Sequence, residues 1–217
     1  YEVNDDSSPF NRVVHIKNRW GDDWYVGSGT IVGNNDILTA VHVVYDEEKG
    51  GWSDECRIYP SYDPDDLSSL SNYFNTAWHR GYTSYDNADG PGDNKSNSLL
   101  GVELDIALLS LTTDIGSTYG WMGLKFDFDR GSASKLGYPR KYDNNLMYDE
   151  GIVYKDSIDN YFWYYRNDIE TNGGDSGGPI YVNSGGSDGY QVIGVHSSSN
   201  NTKGASCALN AHSTWLL

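Results

Sequence analysis

Apolar residues along the chain fall in short runs divided by Gly, Asp, Asn and Ser. They show little of the three-to-four-residue spacing that marks an amphipathic helix, so the pattern argues for strands. RVVHI (12–16), GTIVG (29–33), DILTAV (36–41), CRIYP (56–60) and DIALLSL (105–111) read as strands in the first half. GIVYKD (151–156), YFWYYR (161–166), PIYV (179–182) and YQVIGVHS (190–197) continue the series in the second. GNND, at 33–36, is a hairpin turn between two of these runs. Strands of this length and spacing predict an all-β sandwich or barrel. NAHSTWLL (210–217) reads as a short C-terminal helix capped by Asn210. Two polar, acidic stretches, 61–72 and 83–98, read as loops. The second contains DNADG, which looks like part of a calcium loop but carries Ala88 where a ligand is needed, so no calcium is expected. TTDIGSTYG (112–120) marks a soft division between halves 1–115 and 116–217.

Composition narrows the picture. At 217 residues the chain suits one large domain or two small, closely packed ones. With 15 Lys+Arg against 31 Asp+Glu, its formal charge of −16 repels phosphate backbones and anionic lipid. Nucleic-acid and membrane partners are therefore not expected, and a monomer is. No apolar run is long enough to span a bilayer. The opening YEVNDDSSPF has neither the basic nor the apolar region of a signal peptide. It suits a cytosolic protein or the mature form of a processed one; 18 Tyr, 7 Trp and 25 Gly with few Lys favour the second, and a secreted location. Cys56 and Cys207 fit one bridge or two buried thiols equally well. No CxxC or HExxH spacing offers a zinc site, so neither metal nor cofactor is expected.

The chemistry centres on TNGGDSGGP (171–179), where one serine, Ser176, stands among glycines. These are ordinary turn residues, but they also suit a backbone held against something else. A serine hydroxyl becomes a strong nucleophile only when a base takes its proton and a third group orients the base. Of the five histidines, His15 lies within an apolar strand and reads as structural, and His79 and His212 have no chemical context. His42 differs: GSGTIVGNNDILTAVHVV runs strand, turn, strand, then histidine. The matching carboxylate is Asp105, leading into an apolar strand where a buried acid must be paired.

LTAVH, DIALL and GGDSGGP, in that order, resemble the chymotrypsin-like serine peptidases, and the resemblance runs from about residue 10 to the end. It implies two six-stranded antiparallel β-barrels packed together, with His42 and Asp105 on the first (1–115) and Ser176 and the specificity pocket on the second (116–217). It implies polypeptide substrates, with Ser176 as nucleophile, His42 as general base, Asp105 as its orienting partner and the N–H groups of Gly174 and Ser176 as an oxyanion hole. Within that family, DIETNGGDSGGP and VIGVHSSS are most similar to the bacterial glutamyl endopeptidases. That likeness places Thr171 and His196, with Ser199 as a third member, in the wall of the primary pocket, where they would donate hydrogen bonds to a substrate glutamate. His196 also fits a satisfied core histidine on a strand. Glu170 opens an alternative, a pocket for Arg or Lys. Family members often bury a freed amino group against the acid before the serine, here Asp175, or near the specificity pocket. Tyr1, exposed by removal of a propeptide from a zymogen, could take either place, though it lacks the apolar Ile-Val start that trypsins bury against that acid. Two non-enzymatic readings stand beside this one: an inactive relative serving as a binding module, and an acidic β-barrel with a coincidental GDSGGP, which leaves His42 and Asp105 unexplained.

Overall fold

The computed structural model describes residues 1–81, 99–158, 161–166, 169–186, 189–199 and 204–210. The DNADG stretch, His212 and, apart from Asn210, the helix expected over 210–217 lie outside these residues. In the first half, β1 (Val13–Trp20) pairs antiparallel with β2 (Asp23–Ile31), which turns at Gly33–Asn35 into β3 (Asp36–Thr39). A one-turn helix, α1 (Val41–Val44), follows, then a small ladder of β4 (Tyr45–Asp46) with β5 (Gly51–Trp52). The half is completed by β6 (Glu55–Pro60), α2 (Leu67–Ser71), β7 (Phe74–Gly81), α3 (Leu99–Leu104) and β8 (Ala107–Leu111). The strands close a barrel in the order β1-β2-β3-β8-β7-β6. Ile16, Ile31, Ile37, Ile58 and Leu109, all fully buried, belong to the core that this half shares with Leu136, Tyr138 and Val195 of the second.

Three local expectations change. The strand read over 36–41 stops at Thr39 and Val41–Val44 turn into helix despite three β-branched valines. Tertiary contacts override propensity here: the His42 N–H donates to the buried Asp105 carboxylate, and Asn18 Nδ2 donates to the Val43 carbonyl. The strand read from 105 begins at Ala107, so Asp105 lies in the bend after α3. The loop read over 61–72 contains α2, whose first turn is capped by the Asp66 carboxylate on the Ser68 N–H.

The second half contains α4 (Gly116–Tyr119), β9 (Gly123–Leu124), β10 (Arg130–Gly137), β11 (Met147–Ile158), β12 (Tyr161–Arg166), β13 (Pro179–Asn183), β14 (Tyr190–Ser199) and β15 (Gly204–Ala208). They form a seven-stranded sheet in the order β13-β10-β11-β12-β15-β14-β9, with a further ladder between β13 and β14. Every pairing is antiparallel except that of β9 with β14. Val153, Tyr164, Ile180 and Ile193 form its own apolar cluster. The chain start joins this half: Val3 N–H donates to the Leu146 carbonyl, and Tyr148 N–H to that of Tyr1. Among the described residues, no helix is long and apolar enough to cross a membrane. Cys56 and Cys207 are both buried free thiols, and burial pushes the Cys56 thiol up to about 12.

Candidate active site

The β3–β8 register brings the first two site residues together. Thr39 faces Ala107 at the end of that ladder, so the chain leaving β3 and the chain entering β8 emerge side by side. His42 stands on α1, whose three valines are buried and fix the helix against the barrel. Asp105 is fully buried; one of its oxygens accepts the His42 backbone N–H at 3.0 Å and the other meets His42 Nδ1 at 2.6 Å. The His42 side chain keeps 21% of its surface exposed, so the ring bridges a buried carboxylate and solvent. Burial alone would lower the imidazole pKa, but the charge of Asp105 and its hydrogen bond outweigh it and hold the pKa above the ordinary 6.5. Asp105 has one more donor, Ser197 Oγ at 2.5 Å. The β14–β15 register slips between His196 and Ser198, and the bulged residue is Ser197, the one that reaches Asp105. Ser197 escaped the sequence reading because it is one serine of VHSSS, with no motif to single it out.

Ser176 is half-buried in the turn before β13, and that turn is docked on the first barrel. Ser28 of β2 makes the dock: its N–H donates to the Ser176 carbonyl at 2.7 Å and its hydroxyl to the Gly174 carbonyl at 2.8 Å. Gly177 permits the approach. It has φ +84°, and a Cβ there would run into the Thr39 side chain and the Ser28 carbonyl. The Ser176 backbone is thereby pressed against the strand ends that lead to His42. Ser28 was also missed, although GSG at 27–29, small residues within a strand, is a sign that another backbone comes close. Gly174 has φ +106°, and a Cβ there would lie 2.5 Å from the Tyr138 carbonyl. Neither the Gly174 nor the Ser176 N–H donates to an acceptor among the described residues. No hydrogen bond joins Ser176 Oγ to His42 there either, as is common before substrate tightens such a contact.

The remaining site residues are spread around this centre. His196 is 2% exposed, and its backbone grips the serine turn: its carbonyl accepts the Gly177 N–H and its N–H donates to the Gly178 carbonyl, both at 2.8 Å. Thr171 is half-buried at the start of the turn, and Ser199 is exposed at the end of β14. Glu170 is turned to Lys141 Nζ at 2.6 Å, Tyr142 OH at 3.0 Å and Asn172 Nδ2 at 3.2 Å. Those bonds, the lysine's first, hold its carboxyl down at about 2. Its charge is thus already matched by this chain. The remaining described histidines are packed elsewhere. His15 is fully buried and stacked on Tyr62, and burial pushes its pKa down to about 3; His79 lies against Trp52.

Of the two places open to Tyr1, the one against Asp175 is taken. The Tyr1 ammonium group donates to the Tyr148 carbonyl at 2.7 Å at the surface, while Asp175 is met by Lys135 Nζ at 2.6 Å. The amino group that would reach Asp175 is excluded physically: a strand lysine already occupies the carboxylate, and the first residues are tied to Leu146 and Tyr148. Tyr1 instead borders a cavity of about 100 Å³ lined by Lys135, Tyr148, Glu170 and Asp175. Among the described residues, no group of three or more His, Cys, Asp or Glu side chains is placed to hold a metal ion.

Known proteins resemble the chain over most of its length. The trypsin family model matches residues 1–214. The glutamyl endopeptidase of Bacillus licheniformis is 23% identical over 190 residues, covering 84% of this chain and 52% of that protein. The chain thus spans about half the length of the curated relative it matches. A Glu endopeptidase solved in complex with MPD superposes with a TM-score of 0.74 at 20% identity, covering 100% of this chain and 93% of its own. A thermostable serine protease, AL20, from an extremophilic microorganism superposes with a TM-score of 0.76 at 18% identity, covering 97% and 96%.

Proposed function

The chain belongs to the trypsin family, and from that membership we propose that it is a secreted serine endopeptidase acting through Ser176, His42 and Asp105. The observation that carries this reading is the buried Asp105 carboxylate on His42 Nδ1, at the strand ends against which the Ser176 turn is docked. In this reading His42 Nε2 takes the Ser176 proton as Oγ attacks the substrate carbonyl. The negative charge that forms on the carbonyl oxygen is met by the free N–H groups of Gly174 and Ser176, donors typically worth about 2.7–4 kcal/mol each. His42 then gives its proton to the departing amine, leaving an acyl-enzyme on Ser176. Water, deprotonated by the same imidazole, hydrolyses it. Asp105 keeps the ring in the tautomer whose Nε2 is free to accept, and stabilises the imidazolium between the two proton transfers. The second sheet, with β13 pairing to β14 as well as to β10, is read as the second barrel of the fold.

We propose further that the enzyme cleaves after glutamate, with Thr171, His196 and Ser199 around the substrate carboxylate. The likeness to a protein named as a glutamyl endopeptidase supports this, and so does the position of His196 directly behind the serine turn. A pocket for Arg or Lys built on Glu170 is less favoured, because Lys141, Tyr142 and Asn172 already satisfy that carboxylate. Nothing favours an inactive binding module over an enzyme. The composition, rich in Tyr, Trp and Gly, supports action outside the cell.

The deciding experiment digests a mixed peptide library near neutral pH and reads the cut sites by mass spectrometry. Cuts after Glu that vanish in Ser176→Ala are expected. Cuts after Arg or Lys would move specificity to Glu170, and cutting that survives Ser176→Ala would sink the mechanism.

A further inference from the structure

Asp175 lies between the two N–H groups assigned to the oxyanion hole, and it is fully buried. Its Oδ2 accepts Lys135 Nζ at 2.6 Å and the Asn172 N–H at 2.8 Å; its Oδ1 is buried with no hydrogen-bond partner. Lys135 projects from the middle of β10, is 2% exposed, and donates also to the Glu170 carbonyl at 2.7 Å. A fully buried ammonium group persists only where a charge and hydrogen bonds replace its water. Here the segment leading into Ser176 supplies an ion pair and a hydrogen bond. The base of the arrangement is rigid, because β10 is paired on both sides at Lys135, with Asp149 of β11 and Ile180 of β13. Tyr1 stands outside it, 72% exposed and bonded through its N to the Tyr148 carbonyl.

We infer that Lys135 is the positioning residue that holds Asp175, and through it the Gly174 and Ser176 N–H donors of the oxyanion site. The inference rests on the reading of Ser176 as nucleophile. It assigns Lys135 no contact with substrate. Its effect travels through one carboxylate to two backbone groups whose direction depends on the 172–178 turn. The turn's other bonds, among them Asp175 N–H to the Asn172 carbonyl, Gly178 N–H to the Asp175 carbonyl, Arg140 N–H to the Gly173 carbonyl and those from Ser28 and His196, shape the loop. Among the described residues, Lys135 alone supplies the charge that lets Asp175 sit at its centre.

The test compares Lys135→Met with the wild type by steady-state kinetics and by affinity for a peptide boronate, which forms a tetrahedral adduct on the serine. Lys135→Met is expected to lose kcat and boronate affinity together by at least about 100-fold, the scale of a lost oxyanion donor. KM is expected to move by less than about threefold, because ground-state binding does not use these donors. Unchanged kcat, or substrate and boronate binding falling in parallel, overturns it. If Lys135→Met does not fold, Lys135→Met/Asp175→Asn removes the stranded charge and is read in the same way; normal boronate affinity in that protein overturns the inference. A wild type that takes up no fluorophosphonate at Ser176 removes the premise and the inference with it. A labelled wild type beside an indifferent Lys135→Met removes the inference alone.

Discussion

Asp105 and Asp175 are both fully buried and both lie close to the serine turn, but they are held by opposite kinds of partner. Asp105 faces an imidazole with 21% of its surface open to solvent, helped by a serine hydroxyl and a backbone N–H. Asp175 faces an ammonium group that is itself out of solvent, with only 3% of its side chain exposed. In the proposed reaction the first partner gains and loses a proton, and its carboxylate is placed to ease that change. The second is locked in a buried ion pair, which suits a fixed support. Burial by itself therefore does not distinguish a reacting acid from an architectural one; the partner's proton chemistry does.

Four substitutions would break or sharpen that contrast, taken from the largest effect to the smallest. Asp105→Asn keeps the shape but loses the charge, and should lower kcat by about ten-thousandfold through the wrong tautomer. Its pH profile carries a second signature. In the wild type, kcat/KM should rise with pH as His42 loses its proton, at a pKa above the ordinary 6.5. Without the Asp105 charge, burial dominates and the rise should move to lower pH. A rise left in place would show that Asp105 does not govern the base.

Lys135→Met strands a buried carboxylate and should cost about 3–5 kcal/mol of folding stability, measured by denaturant unfolding, whatever its effect on turnover. A loss below about 1 kcal/mol would show that Asp175 does not need its partner. Ser197→Ala removes one of three donors to Asp105 and should cost about 1.5–3 kcal/mol, read as a fall in kcat/KM of roughly tenfold to a hundredfold with KM nearly constant.

Glu170→Gln should change least, because the Lys141 and Glu170 side chains are about half exposed. The folded-state pKa of Glu170 is depressed to about 2 from an ordinary 4.5, so its contribution to stability is present above 4.5 and lost as pH falls toward 2. Wild type and variant should therefore differ slightly in melting temperature near neutrality and converge in acid. A gap that widens in acid would contradict the pairing seen here.

The two buried acids were not equally legible. DIALLSL advertised Asp105, since a charge opening an apolar strand must be matched by something, and the histidines left few candidates. GGDSGGP displayed Asp175 beside Ser176 but said nothing of its partner. RGSASKLG, now β10, reads as a polar, small-residue stretch; it becomes a strand because β11 and β13 pair with it, and that pairing puts Lys135 inside. β7 was missed for a related reason: FNTAWHRG has weak alternation and largely exposed side chains, and it is a strand by virtue of β6 and β8. α1 shows the reverse failure, valines that favour a strand being turned into helix by distant partners, the Asp105 carboxylate and Asn18.

The sequence by itself determined the β class, the order of His42, Asp105 and Ser176 and the glycines that let the serine turn come close. Each of these is encoded in a contiguous stretch, where periodicity and turn chemistry act over a few residues. Only the tertiary structure decided what those groups touch. Ser28 clamps the turn across the two halves, Ser197 reaches Asp105 from a bulge, and Lys135 rather than Tyr1 neutralises Asp175. Such partners are chosen by strand register and burial, where an unmatched charge costs several kcal/mol. No local pattern carries that energy.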